Sequence, residues 1–368
     1  MLKEIRRDLH RIPEGSFEEF KTQAYICKKL EQWNLMAKKI ARTGVMTEIG
    51  ESNTCIIVLR SDMDALPIKE ETGVEYTSQH EGYQHACGHD GHMAIMLGVA
   101  HALSVNPPTD KMVRLIFQPA EEHGSEYYPD GGARLMIEEG VLDNATEIYG
   151  LHLWNGLPST VIGCKVGAIM ASSDDIKITI VGKGGHAANP HLCVDATTVA
   201  SSLINIINTI VSRDVNPQDI AVVTIGCVSS GTTSNAISSN AIILGTVRSY
   251  SVETRKYILK RIQEIVNGLA IAFAVSITLE THYEDSPVIN SKPQVENVKK
   301  AAKRLNLQYK EETTMASEDF GFYLEKIPGC FFFLGSQDGN QLDHHHCKFN
   351  FDENVLDVGV KMFLELIK

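Results

Sequence analysis

The feature that most constrains the fold of this 368-residue chain is an alternation of short apolar runs with helical patterns. The apolar runs lie at 54–59, 113–117, 148–151 and 330–334. Helical patterns at 93–103 and 133–139 separate the first three runs, and this order predicts an α/β fold with parallel strands. Because the runs contain few polar residues, we expect a largely parallel sheet that is flanked by helices.

The pattern changes near residue 172. From there the order is strand, helix, two strands, helix and strand, at 176–181, 194–213, 221–228, 241–247, 252–272 and 275–280. This β-α-β-β-α-β order is typical of a ferredoxin-like plait that folds as its own unit. We therefore predict an inserted domain at 172–284 within a first domain made of 1–171 and 285–368.

Near the N-terminus, Ser16 and Glu19 have the spacing of a capping box, in which both side chains bond backbone N–H groups at a helix start. Apolar residues recur every three to four positions from there, at Phe17, Phe20, Tyr25, Ile26 and Leu30. The spacing predicts an amphipathic helix that is capped by this pair.

Charge and composition limit the classes of molecule that the protein is expected to bind. The chain has 34 Lys and Arg against 46 Asp and Glu, for a net charge of −12, so clustered cations for nucleic acid or an anionic membrane are not expected. A small-molecule substrate fits this charge better. No signal-peptide or membrane-spanning pattern is present, and the eight cysteines include no C-x-x-C pair. We expect a cytoplasmic protein with reduced core thiols and no redox centre.

Side chains that bind metals follow each apolar run: Asp62 and Asp64, Glu121 and Glu122, His152, and His344 to His346. Ligands of an open α/β sheet bind beyond the carboxyl ends of its strands, where these residues would meet. The densest segment is HACGHDGH at 85–92, and its cysteine and histidines suit a divalent ion such as zinc. Of two adjacent glutamates, one can coordinate a metal while the other moves a proton. A solvated acidic pair is the alternative.

Longer motifs extend this pattern over nearly the whole chain. They include RRDLHRIPE (6–14), LRSDMDALPI (59–68), HACGHDGHMA (85–94), QPAEE (118–122), GLHLW (150–154), GKGGHAANPH (182–191), TIVSRDVNP (209–217), GTVRS (245–249), ASEDFG (316–321) and HHHCKFNFDE (344–353). In this order they resemble the aminoacylase and hippurate-hydrolase branch of the dinuclear metallo-amidohydrolases. That branch also contains indole-acetyl-amino-acid hydrolases and N-acetyl-diaminopimelate deacetylase.

The resemblance implies a metallopeptidase-type catalytic domain that holds two divalent ions, with Zn²⁺, Mn²⁺, Co²⁺ and Ni²⁺ all suited to the site. It assigns Cys87 as the bridging ligand, His89 and His152 to one ion, and Glu122 and His345 to the other. Glu121 matches the general base, and Asp64 matches an acid that orients a ligand. Cys347 stands where the family usually has proline and His344 is extra, so the choice between His344 and His345 stays open.

The resemblance also gives roles to the inserted domain, as a lid through which the chain forms a homodimer. His186 matches a histidine that reaches into the partner subunit's active site and stabilises the oxyanion. Asn235 and Arg248 match residues that bind the substrate's carboxylate. An insertion at 123–130, after the paired glutamates, either reshapes substrate access or forms a neutral surface loop.

The implied activity is metal-dependent hydrolysis of the linear amide of an N-acyl amino acid, with an acetyl, benzoyl or similar acyl group. N-acetyl-diaminopimelate deacetylase is one alternative, and a dipeptidase or carboxypeptidase on the same scaffold is another. A metal-binding protein without catalysis is disfavoured because Glu121 is retained.

Overall fold

The computed structural model describes residues 1–51, 55–124, 128–339 and 342–368, and the side chains of 283 and 284 are outside that description. Residue 54 of the first predicted strand and residues 125–127 of the predicted insertion therefore lie outside the described residues. The chain forms two compact units. One comprises Met1–Ile169, Val288–Thr313 and Asp319–Lys368, and the other comprises Met170–Pro287 and Thr314–Glu318.

The elements are numbered here in chain order. The strands are β1 (Lys38–Ile40), β2 (Gly44–Gly50), β3 (Ile56–Asp62), β4 (Met112–Gln118), β5 (Ala145–Trp154), β6 (Ile162–Gly163), β7 (Gly167–Met170), β8 (Ser172–Val181), β9 (Gly185–His186), β10 (Ala221–Ser230), β11 (Ala236–Ile237), β12 (Asn240–Ser249), β13 (Ser276–Asp285), β14 (Val288–Asn290), β15 (Tyr309–Lys310) and β16 (Gly329–Gly335). The helices are α1 (Leu2–His10), α2 (Phe20–Gln32), α3 (His89–Val105), α4 (Gly131–Glu138), α5 (Ala196–Ile207), α6 (Ile210–Arg213), α7 (Val252–Phe273), α8 (Lys292–Arg304), α9 (Gly321–Leu324) and α10 (Val355–Leu366), with a 3₁₀ turn at Pro190–Leu192.

The first unit is built on one sheet, whose described strands have the order β1-β2-β4-β3-β5-β16-β6-β15. Its centre is parallel, because β3 pairs in parallel with β4 and β5, and β16 pairs in parallel with β5. Strands β1, β2 and β4 are joined by antiparallel pairing, and so are β6 and β16. The predicted α/β fold with a largely parallel sheet is confirmed.

In the first unit, the carboxyl ends of these strands lie beside the start of α3, and both are buried. Every residue of β3 and β16 is buried, as a strand covered on both faces requires. The first twelve residues of α3 are buried as well, where the helix packs against β3, α1 and α10. His89, Asp90 and His92 lie in the first turn of α3, so the helix places them at one edge of the sheet.

The second unit has an antiparallel sheet with the order β10-β12-β8-β13. Helices α5 and α7 pack against it over apolar side chains such as Ile178, Leu203, Ile243 and Ile262. Together with the helices, these strands have the order β-α-β-β-α-β, which confirms the ferredoxin-like prediction. The longest helix is α7, and no helix in the described ranges is long and apolar enough to cross a lipid bilayer.

The predicted single helix at 194–213 is instead divided into α5 and α6. The interruption falls at Asn208 and Thr209. Both the backbone N–H and the hydroxyl of Thr209 donate to the carbonyl of Ile206, so the threonine competes for an acceptor near the end of α5.

The capping-box prediction is wrong. Helix α2 begins at Phe20, and Phe17 has a left-handed φ of 60° outside the helix. The Ser16 hydroxyl donates to Asp64 at 2.8 Å instead of accepting from the helix. The Glu19 side chain bonds Thr43 and the backbone of Ala120. Long-range partners therefore take both side chains away from the local motif.

Replacing Gly132 by alanine should destabilise the protein by about 2–3 kcal/mol, as overpacked sites do. Gly132 is the second residue of α4, and a Cβ atom there would lie 1.7 Å from the carbonyl oxygen of Pro119, which is backbone and cannot rotate away. Urea denaturation followed by circular dichroism measures the loss. Gly268→Ala in α7 is the control, because no atom lies within 4 Å of the added Cβ. A Gly132→Ala variant as stable as wild type would contradict the close approach.

Candidate metal centre

The turn before α3 presents two of the predicted ligands at the sheet edge. Gly88 has a φ of 93°, a conformation that L side chains rarely adopt, and it separates Cys87 from His89, the first residue of α3. His152 lies in β5, and Glu122 follows β4. The residues therefore converge because their elements end or begin at the same edge.

Among the groups of potential ligand atoms that form at this edge, two contain the thiol of Cys87. One group is Cys87, His89 and His152, and the other is Cys87, Glu122 and His345. Within each group the ligand atoms lie within 4.8 Å of one another. A thiol shared by two sets is the arrangement that a bridging ligand needs.

Hydrogen bonds to main-chain carbonyls fix the tautomers of both histidines in the first group. His89 Nδ1 donates to the carbonyl of Asp64 at 3.0 Å, and His152 Nδ1 donates to the carbonyl of Leu153 at 2.7 Å. Because a carbonyl only accepts, Nδ1 carries a hydrogen in each ring, and in the neutral ring Nε2 keeps its lone pair. His152 Nε2 lies 3.5 Å from Cys87 Sγ. Bonds of this type orient metal-binding imidazoles.

The centre carries an excess of negative groups. Burial raises the pKa of the Cys87 thiol well above its usual range, and the neighbouring carboxylates of Glu122 and Glu121 raise it further. Burial alone would lower the pKa of His89, but Asp62 and Asp64 outweigh burial and raise it to about 10. Such a cluster of acids favours a bound cation.

Unsatisfied atoms show that these residues fit a metal ion. His89 Nε2 and Glu122 Oε1 are buried and have no hydrogen-bond partner among the described residues. Leaving such atoms unpaired in the interior is costly, and coordination would satisfy them. Thiolate, imidazole and carboxylate together suit zinc and neighbouring divalent ions.

The loop after β16 places His344 and His345 differently. His344 Nε2 donates to the Leu153 carbonyl at 2.9 Å, and its ring stacks on Trp154 at 4.8 Å between centroids. His345 has a left-handed φ of 65°, and its Nε2 lies 3.4 Å from Glu122 Oε1. Of these two histidines, His345 belongs to a group of potential ligand atoms with Cys87 and Glu122, and its backbone N–H donates to the Ala86 carbonyl at 2.9 Å.

A buried network beside the centre was not assigned from the sequence. His92 Nδ1 bonds Asp62 Oδ1 at 2.7 Å, and His92 Nε2 accepts the backbone N–H of Leu153 at 2.9 Å. Arg60 donates to Asp62 and to Asp319, each at 2.8 Å. The network therefore holds the backbone N–H of Leu153, the residue whose carbonyl orients His152. The motifs SDMD and GHDGH contain Asp62 and His92, but their pairing across 30 residues is not visible in either motif.

A second buried network anchors the first turn of α3. Asp90 Oδ2 accepts from Arg6 Nε at 2.8 Å and from His10 Nδ1 at 2.7 Å. His10 Nε2 lies 3.2 Å from Glu70 Oε1. Burial would lower the pKa of His10, but the hydrogen bonds to Asp90 and Glu70 outweigh burial and raise it.

The raised pKa of His10 makes its contribution to stability depend on pH. The folded protein binds this proton more tightly, so the contribution is complete below the usual pKa of 6.5 and is lost as pH rises through the raised value. We expect the difference in unfolding free energy between wild type and His10→Gln to shrink from pH 6 to pH 9. Urea denaturation at each pH measures it, and His191→Gln at an exposed position is the control. A difference that grows with pH would contradict the assignment.

The remaining predicted residues lie in the second unit. His186 in β9 pairs with Ala236 of β11 and is exposed. The backbone carbonyl of Asn235 accepts from Ala187, which places Asn235 beside His186. Arg248 in β12 is half-buried, and its Nη1 donates to the Met315 carbonyl at 3.1 Å. Their predicted roles remain predictions.

Comparison with known families assigns the chain. The model of Peptidase family M20/M25/M40 matches residues 58–368, which include both ligand groups. The chain belongs to this family. As an M20 family member it is a hydrolase that acts on amide bonds, which confirms the activity class that the motifs implied.

Individual relatives support the assignment to the M20 family. The chain is 42% identical over 356 residues to N-acetyl-L-cysteine deacetylase of Bacillus subtilis, covering 96% of this chain and 84% of the relative. It is 39% identical over 365 residues to N-acetyldiaminopimelate deacetylase of the same organism, covering 97% and 95%. A solved dinuclear metal binding peptidase of the M20 family from Bacillus subtilis has a TM-score of 0.86 and 34% identity, covering 99% of this chain and 96% of that chain.

Proposed function

We propose that the protein is a dinuclear metal-dependent deacetylase, which hydrolyses an N-acetyl amino acid to acetate and the free amino acid. The observation that carries this proposal is that the thiol of Cys87 belongs to two ligand groups. One of these groups contains Glu122, and Glu121 precedes Glu122 directly in the chain. Relatives named for N-acetylcysteine and N-acetyldiaminopimelate support an acetyl group. N-acetyldiaminopimelate, which the motifs implied as an alternative substrate, becomes the preferred one because several relatives are named N-acetyldiaminopimelate deacetylase.

Each ligand group would hold one divalent ion, with Cys87 common to both. His89 and His152 complete one set, and Glu122 and His345 complete the other. Zn²⁺, Mn²⁺, Co²⁺ and Ni²⁺ all suit these donors. When bound, the two ions supply Lewis acidity toward the amide carbonyl and toward the attacking water. The surrounding residues orient the metal-binding side chains and exclude solvent from the buried side of the site.

Glu121 acts as the general base in this proposal. Its Oε2 lies 3.8 Å from His89 Nε2, so the carboxylate faces the ligand atoms. Glu121 takes a proton from the attacking water and delivers it to the amine nitrogen as the C–N bond breaks. The acetyl carbon keeps the water oxygen and its second proton, and transfer of that proton from the carboxylic acid to the free amine gives acetate and an ammonium group.

The second unit supplies the other contacts of the proposal. His186 would donate to the developing oxyanion of the partner subunit's substrate, and Asn235 and Arg248 would bind the substrate carboxylate. A dimer formed through this unit would then be needed for activity. Mixing His186→Ala with Glu121→Gln subunits tests it, because action between subunits restores one working site per mixed dimer. Mixtures that stay as inactive as each variant alone would contradict the role of His186.

Amine release from a panel of amides tests the proposed function. The panel holds N-acetyldiaminopimelate, N-acetylcysteine, benzoyl and indole-acetyl amino acids, and dipeptides, with chelator-treated protein that is reloaded with Zn²⁺ or Mn²⁺. We expect metal-dependent turnover with kcat/KM at least tenfold higher for acetyl than for benzoyl substrates. Preference for dipeptides would favour the peptidase alternative, and failure to bind metal would refute the centre.

A further inference from the structure

The fully buried carboxyl group of Glu19 has no role in the proposed mechanism. Glu19 precedes α2, and its side chain points away from that helix. Oε1 accepts the backbone N–H of Ala120 at 2.9 Å, and Oε2 bonds the hydroxyl of Thr43. Ala120 is the residue directly before Glu121.

Ala120 has an unusual backbone conformation. Its φ is 49°, in the left-handed region that residues with a Cβ atom rarely occupy. Its carbonyl accepts the N–H of Gly132 at 2.9 Å, so both of its peptide neighbours are held. Such a conformation persists only where the surroundings fix it.

The other side of Glu121 is held in the same way. The N–H of Glu122 donates to Asp64 Oδ2 at 3.0 Å. Two acids from separate parts of the chain, Glu19 and Asp64, thus bond the backbone immediately before and after Glu121. The backbone of Glu121 therefore lies between two peptides that are held by hydrogen bonds, an arrangement called the clamp below.

We propose that Glu19 is a positioning residue for Glu121, and that it acts by holding Ala120 in the left-handed conformation that directs the base toward the metal centre. The inference rests on the proposed function of Glu121 as the base. It extends that function by a residue that touches neither substrate nor ligand.

The surroundings of Glu19 identify a conservative replacement. Burial and, after it, the nearby charge of Asp64 raise the pKa of Glu19 to about 8. Oε1 accepts from the backbone N–H of Ala120, and Oε2 accepts from the hydroxyl of Thr43. Glutamine has the same size, its amide oxygen offers Ala120 the same acceptor, and its amide N–H can donate to the hydroxyl oxygen of Thr43. Methionine has similar volume and offers neither.

The test compares Glu19→Met with Glu19→Gln. We expect Glu19→Met to lower kcat for the N-acetyl substrate by about 30–100-fold, the scale that a misplacement of about 1 Å produces. KM should stay within about threefold, and the protein should still bind two metal ions. Glu19→Gln should keep kcat within about threefold of wild type.

Glu14→Met is the matched control. Glu14 is also buried, and its Oε2 accepts from the backbone of Lys21 and Thr22 at the start of α2 without contacting Ala120. This variant should lose stability but keep kcat within about threefold. Equal losses of kcat in Glu14→Met and Glu19→Met, or an equal loss in Glu19→Gln, would overturn the proposal.

Hydrogen exchange separates this inference from the proposed function. The amide of Ala120 should exchange slowly in wild type and in Glu19→Gln, and at least tenfold faster in Glu19→Met, without any substrate present. If wild type hydrolyses no amide while this exchange pattern holds, the proposed function fails and the clamp stands. An Ala120 amide that exchanges equally in all three proteins would refute the clamp, whatever the activity.

Discussion

Replacing Glu121 by glutamine should lower kcat for amide hydrolysis by about 10³-fold, within the range attributed to general acid–base catalysis. Glutamine keeps the size of the side chain beside His89 but cannot take a proton from water. Because Glu121 belongs to neither of the two groups that share the thiol of Cys87, two metal ions should remain bound and KM should change by less than about threefold. Steady-state kinetics and metal analysis of the same preparation measure these values.

Glu138→Gln is the control for this substitution, since it makes the same chemical change at an exposed position in α4. It should keep wild-type kcat. A loss below tenfold in Glu121→Gln would place the base elsewhere. Loss of metal together with activity would show instead that Glu121 is a ligand.

Replacing Arg60 by methionine should have the largest effect on stability, about 3–5 kcal/mol. The guanidinium is fully buried and donates to Gln118, Asp62 and Asp319, each at 2.8 Å. Methionine fills much of the volume but leaves the two carboxylates without this cation. Both tryptophans, Trp33 and Trp154, lie in the first unit, so their fluorescence in urea reports on the affected part of the chain.

Arg42→Met removes the same charge from a weaker position. Its guanidinium pairs with Glu18 at 3.1 Å, where the two side chains are 37% and 66% exposed. Solvent screens such pairs, and we expect a loss below about 1 kcal/mol. If Arg60→Met cost no more than Arg42→Met, the buried network would not be held together by its charges.

Much of the first unit is predictable because strands that are buried on both faces are encoded by consecutive apolar residues. The runs at 113–117, 148–151 and 330–334 became β4, β5 and β16, since a strand covered on both faces needs continuous apolar sequence. The rule that ligands bind beyond the carboxyl ends of strands then anticipated the clustering of Cys87 with the residues around it.

Partners that are distant in the chain explain what could not be predicted. The spacing of Ser16 and Glu19 fits a helix start, and nothing local shows that Asp64 and Ala120 bind these side chains instead. His92 could be identified as a candidate but not paired with Asp62, because that contact depends on how α3 packs against β3. The sequence pattern therefore predicts the wrong hydrogen-bond partner for Glu19 and no partner for His92.

The carbonyls that orient His89 and His152 belong to the main chain, and this has a consequence for protein engineering. Every amino acid at positions 64 and 153 supplies the same carbonyl oxygen, so no single substitution there deletes the acceptor. A mutant library at position 153 can therefore vary size and polarity beside the centre while both imidazoles keep the tautomer needed for coordination. Attempts to change metal selectivity should begin at position 153, because substitution there leaves the donor atoms in place and, unlike substitution of Asp64, keeps the bond to the Glu122 backbone.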